Sequence, residues 1–241
     1  MIGEILITVY AGLEHAFEVD HLLAVNNLVS NRNKIREAIK DGIYWGIGHT
    51  LTIFFIGILM IGFKLIIHEK IFSYLEACVG LMLVILGIYR LFKLFKKNTH
   101  SHTYSHSHEH THKDGTKHSH LHTHTYTHSH PIDIFSHEHQ ENVTNFKAAF
   151  GVGLVHGLAG SGALVVLILS QMKSAFDGLL YILIFGIGSI IGMLLASGLF
   201  SLPFSKKILG SYKLKYSLII ISSILCIIFG FKVIIENYLQ W

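Results

Sequence analysis

Six stretches of this chain are apolar for long enough to cross a bilayer, at roughly 4–29, 42–67, 71–95, 146–171, 175–200 and 214–238. A helix needs about 20 residues for the crossing, and in hydrocarbon a backbone must satisfy its own hydrogen bonds. Alternation of the strand type is missing from these runs, so a membrane barrel is excluded and helices remain. The composition agrees: 51% hydrophobic and 14% charged residues, with a mean hydropathy of +0.51, is too apolar for a soluble domain of 241 residues. The first run lacks a cationic leader and a small-residue cleavage pattern, which makes it a span and not a signal peptide. The expected class is an all-α integral membrane protein of six transmembrane helices.

Cations set the orientation. Arg32, Lys34, Arg36 and Lys40 follow the first run, Arg90, Lys93, Lys96 and Lys97 the third, and Lys206, Lys207, Lys213 and Lys215 the fifth. The opposite side carries Lys64, Lys70, Lys173 and Lys232. Cytoplasmic loops hold the excess of Lys and Arg, so both termini are expected outside the cell membrane and the long loop after the third span in the cytoplasm. Because the cations flank membrane segments and form no single basic face, lipid and not nucleic acid is the expected partner.

Between the third and fourth runs the composition changes abruptly to SHTYSHSHEHTHKDGTKHSHLHTHTYTHSH and a tail with His137 and His139. Such low complexity predicts disorder. Three segments follow: a first three-helix repeat over 1–97, a His-rich loop over 98–145, and a second three-helix repeat over 146–241. The flanking segments resemble each other. Gly12-Leu13-Glu14-His15 matches Gly153-Leu154-Val155-His156, and Gly46-Ile47-Gly48-His49 matches Gly186-Ile187-Gly188-Ser189. Three spans per half is an odd number, so the halves enter the membrane from opposite sides, the inverted-repeat layout that puts a substrate site near the midplane. The halves are chemically unequal. His15, Asp20, His21 and His49 align with His156, Ser161, Gly162 and Ser189, so the first half supplies most of the ligands to a single site.

The first run contains His15-Ala16-Phe17-Glu18-Val19-Asp20-His21, preceded by Glu14. An Asp near a helix centre is unfavourable by about 2.5–3.5 kcal/mol on insertion scales, whereas each Leu, Ile, Val or Phe returns about 0.3–0.6. These groups must be shielded and paired. They either lock the bundle together or form an ion path, and the latter is the default for intramembrane ionisable groups. Imidazole beside carboxylate suits nickel, cobalt or zinc, while calcium and magnesium sites use oxygen alone.

Helical geometry then presents a conflict. At about 100° per residue, Glu18 lies roughly 60° from both His15 and His21, and Asn26 returns close to His15. Asp20 falls about 140° from His15. A straight helix cannot aim His15, Asp20 and His21 at one ion. Either the helix is unwound around Val19, as in the broken helices of transporters, or Asp20 stands behind an imidazole and holds its tautomer. His49, in Gly48-His49-Thr50, lies on a second helix able to face the first. His156 is surrounded by glycines that also permit close helix packing. Asn26 and Asn27 offer amide oxygens either to an ion or to a neighbouring helix.

The loop between 98 and 145 holds fourteen of the nineteen histidines, in alternating H-x-H form able to ligate borderline cations at many interchangeable sites. Cys78 and Cys226 form no CxxC and are expected to be buried packing thiols. HExxH is absent, as is any recognisable hydrolase motif, so enzymatic activity is not expected.

His15-Ala16-Phe17-Glu18-Val19-Asp20-His21 followed by Asn26-Asn27 resembles the intramembrane H-A-x-D-x-D-H signature of the nickel/cobalt transporter family. Gly48-His49-Thr50 is similar to its second motif. Glu18 and Asn26 stand where that family usually has Asp. GLVHGLAGSGAL, residues 153–164, looks like the six-span branch that includes urease-accessory nickel permeases. The resemblance implies that His15, Asp20, His21 and His49 are the essential metal residues, with Glu18, His156 and Asn26 as helpers. It also implies a secondary transporter moving Ni²⁺ or Co²⁺, with Zn²⁺ as a further candidate, without a tightly bound cofactor. Uptake is favoured over efflux, and a cytoplasmic nickel chaperone is the expected partner of the loop. The alternative is a membrane-anchored storage or assembly factor that delivers nickel to a urease or hydrogenase.

Overall fold

The first apolar run is not one helix. In the computed structural model, helix α1 (Ile2–His15) ends at its histidine and α2 (Val19–Val29) starts again beyond Glu18. Glu18 is extended, with φ −64° and ψ 154°. The end of α1 is closed by Phe17 N–H to the Glu14 carbonyl (2.8 Å) and Glu18 N–H to the His15 carbonyl (3.1 Å), the tightened bonding with which helices terminate. Asp20 lies in the first turn of α2, where the positive end of the helix favours a carboxylate. The chain is therefore interrupted at Ala16–Glu18, just ahead of Val19.

The structure describes residues 2–30, 32, 34–62, 69–95, 97–111, 117–131, 146–159, 174–204 and 212–239. The remaining helices are α3 (Ile35–Gly62), α4 (Glu69–Phe95), α5 (Phe146–Ala159), α6 (Ala175–Ser201) and α7 (Tyr212–Leu239); a 3₁₀ turn, Leu202–Phe204, closes α6. Ser174 caps α6, its hydroxyl accepting from Asp177 N–H. Among the described residues, four segments are long and apolar enough to cross a membrane: Ile35–Ile61, Lys70–Phe95, Ala175–Phe204 and Lys213–Leu239. Of the other two predicted spans, the first is the interrupted α1–α2 pair, and the fourth is described only as α5. Residues 160–171, with Ser161 and Gly162, lie outside the described residues. Polarity is distributed inside out: Phe55, Ile88, Ile187 and Ile228 are exposed, while His15, His21, His49, His156 and Ser189 are buried.

Glycines determine how closely the helices approach. A Cβ on Gly12 would collide with the Phe185 carbonyl and lie 3.0 Å from Ser189 N; one on Gly153 would collide with the Trp45 carbonyl and lie 3.0 Å from His49 N. Gly188 abuts Val9, and Gly48 abuts Phe150. Gly192 meets Ala16, and Gly157 meets Thr52. Thus α1 packs along α6 in the same direction, and α5 packs along α3 in the same way. Between α3 and α6 the sense is antiparallel, with Gly42 against Ser197, Gly46 against Ile190 and Thr50 against Gly186. Small residues let backbones touch, which is how helices associate where lipid removes the hydrophobic drive. Hydroxyls add bonds at these contacts, from Ser189 to the Gly12 carbonyl (3.1 Å), Thr50 to that of Gly186 (3.2 Å) and Thr52 to that of Leu154 (3.1 Å).

Residues 92–136 form a separate unit. Within it the described residues are two strands, β1 (Lys97–Thr111) and β2 (Lys117–Pro131), which pair as a two-stranded antiparallel sheet. The register sets His100 opposite His128, His106 opposite His122, and His108 opposite His120. Thr and Tyr favour strands, and the period-two repeat of H-x-H is itself a strand pattern; low complexity at the level of composition concealed it. The all-α description applies to the described membrane segments. His112, His137 and His139 lie outside the described residues.

One correction concerns the cysteines. Cys226 is buried and donates to the Leu83 carbonyl (3.3 Å), as a packing thiol should, but Cys78 is exposed on α4. An exposed thiol on a lipid-type apolar face needs no polar partner.

Candidate metal site

The break in the first span brings Asp20 and the histidines together. His15, at the end of α1, His21, in the first turns of α2, and His49, in the middle of α3, have ligand atoms within 4.8 Å of one another. Asp20, His21 and His156 of α5 form a second such group, and His21 belongs to both. Ring centroids are 4.5 Å apart for His15–His21, 5.2 Å for His15–His49, 5.3 Å for His21–His49 and 4.2 Å for His21–His156.

Asp20 bridges two of the rings. Its Oδ1 lies 3.0 Å from His21 Nδ1 and its Oδ2 lies 3.1 Å from His156 Nε2. A carboxylate accepts only, so each of those nitrogens carries the proton as donor. The opposite nitrogens, His21 Nε2 and His156 Nδ1, then present lone pairs, the arrangement in which carboxylates orient metal-binding imidazoles.

His21, His49 and His156 are fully buried and His15 nearly so. Within the described residues, His15 Nε2, His21 Nε2, His49 Nδ1 and Nε2, and His156 Nδ1 have no hydrogen-bond partner. Each unsatisfied buried polar atom is unfavourable by about 1–3 kcal/mol. Several converging lone pairs are tolerable if a cation joins them, and neutral imidazole suits a borderline divalent ion.

Glu18 stands at the rim, its side chain 54% exposed, with Oε1 3.0 Å from His15 Nδ1. Asn26, on α2, is half-buried. Asn27 is buried; its Nδ2 donates to the Leu23 carbonyl (3.0 Å) and its Oδ1 accepts from Ser223 of α7 (3.2 Å), which makes it a link between helices. Sequence reasoning missed the aromatic walls: Trp45 lies 5.6 Å from His21 and 5.9 Å from His156, and Phe185 lies 5.5 Å from His15. Trp45 is four residues before His49 and therefore on the same helical face, a signal available in the sequence.

The family model described as the cytochrome C biogenesis protein transmembrane region matches residues 22–232. The chain is 36% identical, over 194 residues, to the urease accessory protein UreH of Bacillus sp. (strain TB-90), covering 80% of this chain and 74% of that relative. No solved structure matches.

Proposed function

The chain belongs to the cytochrome C biogenesis transmembrane-region family by its family model and to the urease accessory protein UreH family by its relative, and from that premise we propose that it is a secondary transporter of a divalent transition-metal ion. Ni²⁺ or Co²⁺ is the cargo, with Zn²⁺ as the competitor to be tested. The observation that carries this reading is the set of unpartnered ring nitrogens on four buried histidines around Asp20. His15, His21 and His49 offer one ligand set; Asp20, His21 and His156 become the adjoining one when an ion replaces the two ring protons now held against Asp20, so an ion can shift between sets by exchanging partners around His21. Glu18 guards the rim, and Asn26 is placed to assist from α2.

Six spans in two inverted repeats are supported by the reciprocal packing: Gly12 on α6 has its counterpart in Gly153 on α3, and Gly188 against Val9 in Gly48 against Phe150. The cation distribution supports external termini and a cytoplasmic His-rich segment. In that topology the histidine hairpin receives imported metal and passes it to a cytoplasmic nickel chaperone. Uptake is the favoured direction.

Flux into sealed vesicles, comparing Ni²⁺, Co²⁺ and Zn²⁺ with and without a proton gradient, tests the proposal. His21→Ala and His49→Ala should abolish flux while folded protein remains in the membrane; unchanged flux in both would sink the assignment. A membrane-anchored storage or assembly factor for a urease or hydrogenase is the second reading, favoured by the word urease in the relative's name. It requires bound metal without flux.

A further inference from the structure

Beside the histidine groups, a cavity of 380 Å³ lies between the α1–α2 break, the start of α4 and the end of α7. Its walls include Glu18, Asp20, Glu76 and Glu236, with Val79 and Phe229 as apolar surface. Among the described residues no cationic side chain lines it; Lys232 approaches Glu236 at 3.6 Å, but both side chains are more than half exposed. Four carboxylates around one opening between apolar helices is a costly arrangement without a counter-charge.

Acid residues alone would mark nothing. Here one of them, Asp20, is shared between the cavity wall and the buried group. The two imidazoles bonded to it are fully buried, and each keeps an unpartnered nitrogen, His21 Nε2 and His156 Nδ1. A cation in the cavity is therefore one side chain from those lone pairs. Oxygen ligands also suit the step: carboxylates hold a cation that still carries water, and imidazole is the better partner once water is shed.

We propose that this cavity is the access path of the metal cation and that Glu76 and Glu236 capture the hydrated ion and deliver it to Asp20. The inference rests on the metal-site reading above and adds to it two residues on helices that contribute no ligand. Its lining on α7 runs to Glu236 and Asn237, near the end of that helix and towards the external face in the proposed topology, which favours uptake.

The test uses the full chain with Trp241→Phe, leaving Trp45 as the single tryptophan, since the sequence has two. Trp45 lies 5.6 Å from His21, so Ni²⁺ arriving at the buried histidines quenches its fluorescence, and a His21→Ala control that keeps every loop histidine identifies the part of the signal that comes from the buried group. His21→Ala should remove the quench. In stopped-flow mixing with Ni²⁺, the Glu76→Gln/Glu236→Gln double variant should associate about tenfold more slowly at low ionic strength, with a flatter salt dependence and the full final quench. Glu236→Gln alone, at an exposed position, should show a smaller slowing in the same direction. A double variant with the parent's rate and salt dependence overturns the proposal, and so does one that loses the final quench while Glu236→Gln keeps the parent's rate. Vesicle flux separates the two readings: if the parent shows the quench and the double variant its slowing, but wild-type protein carries no Ni²⁺, transport is ruled out and the access path stands.

Discussion

Asp20 and His156 lie 136 positions apart in the chain and meet at 3.1 Å, carboxylate Oδ2 to ring Nε2. The same carboxylate holds His21 at 3.0 Å. One acidic side chain thus joins the two halves of the membrane segment and sets which nitrogen of each ring is free. Asp20→Asn keeps the volume but replaces one acceptor oxygen with a donor, so at least one ring must turn or change tautomer. Ni²⁺ affinity of the purified protein should fall about 10–100-fold, the usual effect of losing a residue that orients a metal-binding imidazole. Ni²⁺ titration of Trp45 fluorescence in the Trp241→Phe background reads this at the buried site; an affinity within about twofold of wild type would remove Asp20 from its bridging role.

The glycine contacts predict a position-specific response to one methyl group. Gly153→Ala would push α5 away from Trp45 and His49, and Gly12→Ala would push α1 away from Phe185 and Ser189. Backbone sits on the far side in both cases and cannot swing aside, so each should lower stability by about 1–3 kcal/mol. Gly151→Ala, whose Cβ meets nothing within 4 Å, should leave the melting temperature in detergent unchanged or slightly raised. Equal effects at Gly151 and Gly153 would contradict the packing.

Much of this architecture can be read from the sequence because the membrane leaves few alternatives. The apolar runs demand helices, and matched Gly and His positions in the two halves anticipate which surfaces touch. The spacing of His15, Asp20 and His21 shows that a straight helix is in conflict with a shared site. It does not show where the break falls, since no Gly or Pro marks Ala16–Glu18, and the extended Glu18 depends on tertiary contacts such as that of Asp20 with His156. Phe185 is hidden for a different reason: in an apolar run, an aromatic side chain lining the site looks the same as one facing lipid, whereas Trp45 could be placed from its four-residue spacing to His49. The β1–β2 pairing was legible in the H-x-H alternation, but composition pointed the other way.

Arg32 and Asp41 tie the end of α2 to the start of α3. Arg32 Nε reaches Asp41 Oδ2 at 2.5 Å, and its terminal nitrogen reaches Oδ1 at 2.8 Å. Asp41 is buried while Arg32 keeps some exposure. Arg32→Ala strands a buried carboxylate and should lower stability by about 3 kcal/mol. Asp41→Asn removes the charge that needs pairing, so its effect should be smaller, and the double variant should be more stable than Arg32→Ala alone. Melting temperatures of the three proteins in one detergent test the order; a double variant less stable than Arg32→Ala would show that the pair is not what joins the helices.

Removing residues 100–139 separates transport from storage. Both groups of buried ligands come from α1, α2, α3 and α5. Flux through the membrane site should therefore persist at most of its wild-type rate, while the number of Ni²⁺ ions bound per chain should fall sharply as the interchangeable H-x-H sites are lost. Vesicle flux and a bound-metal count on the same preparation give both quantities. A deletion protein that keeps its fold and its buried-site binding but moves no metal would transfer the essential step from the intramembrane histidines to the hairpin, because a path through α1, α2, α3 and α5 needs nothing from residues 100–139.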